Sequence, residues 1–221
     1  MEAHRMSDES GFEADPLGYS ALAWHKWGML ATINGFPIDI SKEPTTEDLR
    51  NPVLWLSHAN ALSEAAVCLI KNVPAFSSFP ADVRTICHSQ YHAVALMLVG
   101  YSLEVCLKSM LLINLGVEEF ARQEKKHFHH RLRELATFVP GLSKKDQAIL
   151  DGLTHFVVWA GRYPDPGTKR ASGVADVFDI AEKNEINAKE LFHLATRIMK
   201  HVREVVAQTA NKAYTDSLHK Q

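Results

Sequence analysis

Two charged residues, Glu104 and Lys108, lie inside the most apolar stretch of the chain, which runs from His92 to Gly116. They are four residues apart with the acid first, which is the favourable order for an ion pair along a helix. A helix that is apolar on every side is a membrane span or the central rod of a bundle, and two charges are costly at mid-bilayer. We therefore predict a central bundle helix whose charges need partners. The alternative is that both side chains extend to the edge of the bundle.

The segment after this helix is basic and rich in histidine. Residues 122–133 include five Lys or Arg, one Glu and three His. A helix predicted from His130 to Val139 would add free backbone N–H groups at its start, and such a start binds phosphate. The alternative is a solvated basic turn, because charged runs usually face water. The predicted ligand-binding residues of this segment are Lys125, Lys126 and Arg131.

The next predicted helix ends at Arg162, which is followed by Tyr163 and a proline. A cation is favoured at a helix C-terminus, so Arg162 could cap carbonyl groups there while Tyr163 packs as a lid. It could equally reach a carboxylate or a ligand phosphate. We predict that Arg162 and Lys108 point into one groove together with Glu104 and His130, and that Tyr163 contributes to the same ligand site.

Three of these motifs, taken in order, resemble the HEPN family of all-helical domains associated with nucleotides and RNA in toxin and defence systems. They are Glu104 with Lys108, the string His130-Arg-Leu-Arg-Glu-Leu135, and Arg162-Tyr-Pro164. The resemblance covers about residues 52–210 and rests on motif order. It implies a helical bundle, a phosphate-bearing ligand such as a nucleotide or RNA, a homodimer with the ligand groove near its seam, and regulation by a partner protein.

An Arg-x4-His string, Arg122-Gln-Glu-Lys-Lys-His127, follows the central helix. HEPN ribonucleases are similar in using an Arg and a His at such a spacing, the Arg to hold phosphate and the His to move a proton during 2′-OH attack. The resemblance thus implies Arg122, His127 and His130 as catalytic residues of a metal-independent endoribonuclease. The family's motif begins its final helix, whereas this string is displaced to an earlier loop. Chance is the alternative in a chain with twelve histidines.

A second pair of histidines, His88 and His92, lies four residues apart on one predicted helical face. Such a pair can bind zinc, nickel or copper, and bundles with a histidine triad resemble the DinB-like metal proteins. A third ligand would have to come from a distant residue such as His58 or His155. Ordinary packed or polar histidines explain the pair better, so we predict neither a metal nor another cofactor.

The composition restricts the class of protein. The formal net charge is −2, so any nucleic-acid site must be local. The first fifteen residues lack the apolar core of a secretory signal, and no stretch reaches the uncharged length of a membrane span. The three cysteines are isolated in helical patterns and are typical of reduced core thiols. We therefore expect a cytoplasmic protein that does not contact membrane.

Helix signals divide the chain into four parts. A disordered tail is predicted over residues 1–15, and a helical extension with a connector over residues 16–50. The bundle is predicted over residues 51–213, followed by a tail over residues 214–221. Its clearest signals are Asn51 before Pro52, Gly116 after the central helix, Ser143 with Asp146, and Asn187 with Glu190. No segment alternates as a strand, so the predicted fold is all-α, an up-and-down bundle of four or five helices with an N-terminal helical extension.

Three functions remain open from the sequence. The leading one is binding of a nucleotide or RNA in a basic groove, with RNA cleavage as its catalytic form. The second is a homodimerising or protein-interaction bundle without catalysis, because a small bundle with one fully apolar helix often buries part of it in a partner. The third is a histidine-based metal-dependent bundle.

Overall fold

The computed structural model describes residues 10–36, 38–167 and 173–218, and these contain helices and no strand. The chain is an all-α helical bundle, as predicted. It divides into two compact units, Met1–Leu54 and Trp55–Gln221. The helices are α1 (Ser10–Ala14), α2 (Pro16–Ser20), α3 (Ala23–Ile33), α4 (Thr46–Leu49), α5 (Pro52–Lys71), α6 (Ala81–Leu115), α7 (Val117–Arg122), α8 (Glu124–His127), α9 (Leu132–Leu135), α10 (Lys144–His155), α11 (Gly173–Lys183) and α12 (Ala188–Leu218).

The first unit contains short helices. The sequence predicted one helix over residues 17–33, but the structure has two, α2 and α3, separated by Ala21 and Leu22. Within the predicted connector, Thr45 and Asp48 form a capping box that starts α4. Helix α1 occupies residues 10–14 of the predicted disordered tail, and the rest of that tail up to residue 9 lies outside the described residues.

Helix α6 is the central element of the second unit. It packs against α9, α10, α12 and the segment Phe156–Ala160. Its buried apolar residues, including Leu103, Leu107 and Met110, form the middle of the core. It begins at Ala81 and ends before Gly116, which adopts a φ of 77° that suits glycine. The predicted central helix is therefore confirmed in position and in bounds.

Caps predicted from the sequence start the other long helices. Asn51 Oδ1 accepts from the Val53 amide at 2.9 Å at the start of α5. Ser143 and Asp146 form the capping box of α10. The Glu190 amide donates to Asn187 Oδ1 at 3.1 Å at the start of α12.

Two predicted helices differ in the structure. The helix expected over residues 130–139 is only the single turn α9. The helix expected to run from Ser143 to Gly161 is α-helical only to His155 and continues as a π-helix over Phe156–Ala160. In this π-helical turn the Gly161 amide donates to the Phe156 carbonyl at 3.1 Å. Helices α7, α8 and α11 were not predicted, and α12 extends to Leu218, beyond the predicted boundary at residue 213.

Helices α5 and α6 are both long and apolar enough to cross a membrane by length and composition alone, which is weak evidence for a span. They differ in burial within the protein. The most apolar window of α6 is 61% buried, as befits a core helix, whereas that of α5 is only 11% buried. Composition alone therefore leaves untested, for both helices, the expectation that no stretch reaches the uncharged length of a membrane span.

Candidate functional site

Glu104 and Lys108 form an ion pair on the buried side of α6. The Lys108 Nζ atom lies 2.7 Å from Glu104 Oε1, and their side chains are only 8% and 6% exposed. One helical turn separates the two residues, so the backbone of α6 fixes their approach. The prediction that these charges lie inside the bundle and find partners is confirmed in geometry.

His130 is the second partner of Glu104. Its Nδ1 atom lies 2.9 Å from Glu104 Oε2, across a sequence separation of 26 residues. Because a carboxylate only accepts hydrogen bonds, Nδ1 must carry the proton and donate it. The remaining nitrogen, Nε2, makes no hydrogen bond among the described residues, and the side chain is 49% exposed. The Tyr101 ring stands nearly perpendicular to the imidazole, with 6.3 Å between ring centroids.

Aromatic rings line the side of the cluster that faces the loop after α8. Lys108 Nζ lies 5.3 Å from the centre of the Phe128 ring, a cation–π distance. Phe128 packs in turn on Phe120, which is fully buried. The ammonium group of Lys108 is therefore held between a carboxylate and an aromatic face.

His127 belongs to the core beneath this loop. Its ring stacks on Phe120, with 5.5 Å between centroids, and its Nε2 atom is buried without a hydrogen-bond partner among the described residues. Burial is the largest cause that lowers the pKa of His127, followed by the positive charge of Lys126. The side chain of Arg122 is instead 71% exposed and pairs with Glu119 at 2.8 Å. The two residues of the Arg-x4-His string are thus not presented on one surface.

Both ring nitrogens of His129 contact residues close to it in the sequence. Its Nδ1 atom accepts from the Arg131 amide at 3.1 Å, and its Nε2 atom lies 3.6 Å from Glu134. Burial and then the charge of Arg131 lower the pKa of His129. Among the three histidines of the loop, His130 therefore offers the most accessible ring.

Much of the basic cluster is neutralised by neighbouring carboxylates. Arg131 pairs with Glu134 at 2.8 Å and Arg133 with Asp151 at 3.0 Å. The expected phosphate site at a helix N-terminus is not formed, because α9 is a single turn and the Leu132 amide donates to Thr154 Oγ1 at 3.1 Å. Lys125 and Lys126 are exposed and make no ion pair within the part of the chain that the structure describes.

Arg162 and Tyr163 lie at a different place on the bundle. Arg162 is exposed, and its Nη2 atom lies 3.5 Å from the Tyr163 hydroxyl. Both residues line a cleft of about 540 Å³ together with Ala93 of α6. Ala93 precedes Glu104 by eleven residues, about 16 Å along a helix. The prediction that Arg162 shares a groove with Glu104, Lys108 and His130 is therefore wrong, since the π-helical turn delivers Arg162 to the other half of α6.

The paired histidines of α6 contact their own helix and a neighbouring aromatic ring. His92 Nδ1 lies 2.7 Å from the His88 carbonyl oxygen, and the His88 ring packs edge-on against Phe76. No group of three or more His, Cys, Asp or Glu side chains that could hold a metal occurs among the described residues. The third ligand that a metal site needs is not supplied by His58 or His155.

The aromatic part of the site was not predicted from the sequence. Phe128 interrupts the run Lys125-Lys126-His127-Phe128-His129-His130, and a large apolar residue inside a basic run is a usable signal for a side chain that covers a buried charge. Tyr101 precedes Glu104 by three residues, which places both on one helical face. The role of Thr154 could not be predicted from a local pattern, because its hydrogen bond with the Leu132 amide joins α9 and α10 across 22 residues of sequence.

The fold and the site together define a class: an all-α bundle whose central helix holds a buried carboxylate between a lysine and a half-exposed histidine. Such a carboxylate–histidine pair can fix one imidazole tautomer and move a proton at the outer nitrogen. Comparisons with protein-family models, with curated proteins and with solved structures gave no match to this chain.

Proposed function

We propose that this protein is a HEPN-like domain that binds a phosphate-bearing ligand, RNA or a nucleotide, beside His130. The observation that carries the proposal is the 2.9 Å contact between His130 Nδ1 and the buried Glu104 carboxylate. Nε2 makes no hydrogen bond among the described residues, and the ring is 49% exposed. A carboxylate that accepts from Nδ1 holds the imidazole in one orientation and one tautomer, which suits a histidine that carries a proton.

Lys125 and Lys126 are proposed to attract the ligand by their charge, and Arg131 is proposed to make a smaller contribution. The two lysines are exposed, so their ammonium groups are available to phosphate oxygens. Arg131 already pairs with Glu134 and contributes less. Because the protein as a whole carries a formal charge of −2, binding depends on this local patch and should weaken steeply with salt.

The catalytic form of the proposal is metal-independent RNA cleavage of the toxin or defence kind. His130 Nε2 accepts the proton of a ribose 2′-OH while the 2′ oxygen attacks the adjacent phosphorus. The bond from phosphorus to the 5′ oxygen breaks and leaves a 2′,3′-cyclic phosphate, while the 5′ oxygen takes up a proton from solvent water as it leaves. The ammonium groups of Lys125 and Lys126 stabilise the negative charge that develops on the phosphate. His127 has no part in this reaction, because its ring is buried against Phe120.

The test is to incubate end-labelled single-stranded RNA with the protein at low salt without metal, beside His130→Gln and the double variant Lys125→Ala, Lys126→Ala. We expect His130→Gln to abolish cleavage and to keep most of the binding. The double variant should weaken binding and make it less dependent on salt. The plot of log affinity against log salt should become less steep by about 1.4, because two phosphate contacts are lost and each contributes about 0.7 on a single strand.

Lys189→Ala is the matched control, since Lys189 is an exposed cation at the start of α12. It should leave binding and salt dependence unchanged. Binding without cleavage in the wild type would limit the function to recognition. If the wild type neither binds nor cleaves RNA and also fails to bind nucleotides, the proposal is wrong.

A second candidate function is a homodimerising or protein-interaction module. It is favoured by α5, whose most apolar window is only 11% buried in the single chain. Apolar helix surface left in water is typical of an interface. Light scattering across a range of protein concentrations tests it directly: a mass that stays at one chain contradicts dimerisation.

A further inference from the structure

The second unit contains an apolar groove between α5, α6 and α12. Its volume is about 560 Å³, within the range of small-molecule pockets. Side chains from all three helices form its walls, and neither Glu104 nor His130 is among them. Its apolar lining includes Ala66, Val99, Phe192, Ala195, Met199 and Val202.

Three cations border this groove. Lys71 comes from α5, and Lys200 and Arg203 come from α12. All three side chains are exposed, and none forms an ion pair within the described part of the chain. No acidic residue is among the described side chains that line the groove. The apolar walls of the groove suit an apolar ligand body, and its positive border suits one anionic end on that ligand.

The volume and the charge of the groove together favour a small anionic amphiphile. A volume of about 560 Å³ suits a small ligand, and the three cations on its border suit one anionic group. We infer that this groove binds a free fatty acid, with its alkyl chain along α6 and α12 and its carboxylate at Lys71, Lys200 and Arg203. This inference does not depend on the function proposed above.

The first experiment measures binding of octanoate, decanoate and dodecanoate below their micellar concentrations by isothermal titration calorimetry. Burial of an alkyl chain raises the affinity about fourfold for each added methylene. Dodecyltrimethylammonium, which has the same chain with a cationic head, should bind at least about tenfold more weakly than dodecanoate because it faces three positive charges.

Two variants locate the site. The double variant Lys200→Glu, Arg203→Glu should weaken dodecanoate binding at least about tenfold, whereas Lys189→Glu on the same helix serves as the matched control and should not. Ala195→Phe places a ring in the groove and should abolish binding. Ala195 is only partly buried, so the variant can fold, which circular dichroism checks.

The results separate the possible occupants. Dodecanoate binding that is lost in Ala195→Phe and weakened by the charge reversal supports the inference. Equal binding of the anionic and cationic chains, or binding that survives Ala195→Phe, overturns it. A dimer that dissociates in Ala195→Phe without any dodecanoate binding assigns the groove to a second copy of the chain and also overturns it.

Discussion

Helices α5 and α6 have similar composition but opposite surroundings. Helix α6 buries twelve residues, among them the charged pair Glu104 and Lys108, whereas the buried residues of α5 are Ala59 and Ala66. One helix therefore places charge where apolar side chains are expected, and the other leaves apolar side chains in water. Both arrangements cost free energy in a single chain.

The comparison shows that apolar composition does not define the role of a helix. In α6 the costly element is the ion pair of Glu104 with Lys108, and the same carboxylate holds the half-exposed His130. In α5 the costly element is uncovered surface, which a ligand or a second chain can cover. We propose a separate site at each helix, one for proton transfer beside phosphate at α6 and one for apolar binding at α5.

The largest effect is expected from Glu104→Ala, which leaves Lys108 buried without its carboxylate. Breaking a buried pair by removing one partner costs about 3–5 kcal/mol of the free energy of unfolding. Urea denaturation followed by circular dichroism measures this loss. A cost below about 1 kcal/mol would mean that Lys108 reaches water and that the pair is not buried in solution.

The control for this prediction replaces both charges at once. Glu104→Leu with Lys108→Met fills the same space with apolar side chains, and such replacements are often neutral or stabilising. We expect this double variant to recover the stability lost in Glu104→Ala but not any activity of His130. That outcome would separate the functional role of the pair from a structural one.

Leu107→Ala is expected to have the next largest effect. Leu107 is 0% exposed in the middle of α6, and truncation leaves a cavity between α6 and its neighbours. Such substitutions cost about 2–5 kcal/mol. The midpoint of urea denaturation should fall with an unchanged slope. A much smaller cost would show that the core collapses into the cavity and that α6 is less rigidly packed than its burial indicates.

His127→Phe is expected to have a smaller effect that depends on pH. The pKa of His127 is lowered from 6.5 by burial and by neighbouring positive charge. The unfolded chain therefore binds a proton first as the pH falls below about 6.5, and the folded state loses stability in that window. Above it the histidine contributes no pH dependence.

Phenylalanine keeps the stack on Phe120 and removes the buried, unpartnered Nε2 atom. We expect His127→Phe to be more stable by about 1 kcal/mol and to lose part of the decrease in stability below pH 6.5. Thermal unfolding between pH 5 and 7 measures both effects. If the decrease is the same in the variant and in the wild type, His127 is not its source. His193, an exposed histidine of α12, provides the control variant His193→Phe.

The sequence predicted those parts of the fold that depend on local chemistry. Helix starts at Asn51, Ser143 and Asn187 were found because a capping side chain and its amide partner lie within three residues. The end of α6 was found because Gly116 takes a positive φ. The short helices α7 and α8 and the π-helical turn were missed. Helix α7 and the π-helical turn both pack against α6, and such packing leaves no local pattern in the sequence.

The residues of the site likewise divide into those predicted from local spacing and those that depend on tertiary packing. Glu104 and Lys108 were found as a pair because four residues on a helix fix their separation. His130 was placed beside them on the order of motifs, and its contact with Glu104 confirms that part. Arg162 was placed wrongly because nothing in the sequence gives the register between the end of α10 and α6. A difference of a few turns along α6 moves a residue from one site to another.

The smallest effect is expected from Val67→Ala on α5, because the Val67 side chain is 39% exposed. In a single chain this truncation should change the free energy of unfolding by no more than about 0.5 kcal/mol. If a second chain covers α5, the cost is larger and the unfolding midpoint rises with protein concentration, because association stabilises the folded state by mass action. A fatty acid in the groove instead makes the midpoint depend on dodecanoate and not on protein concentration. Measuring the midpoint against both concentrations therefore decides what covers the apolar surface of α5.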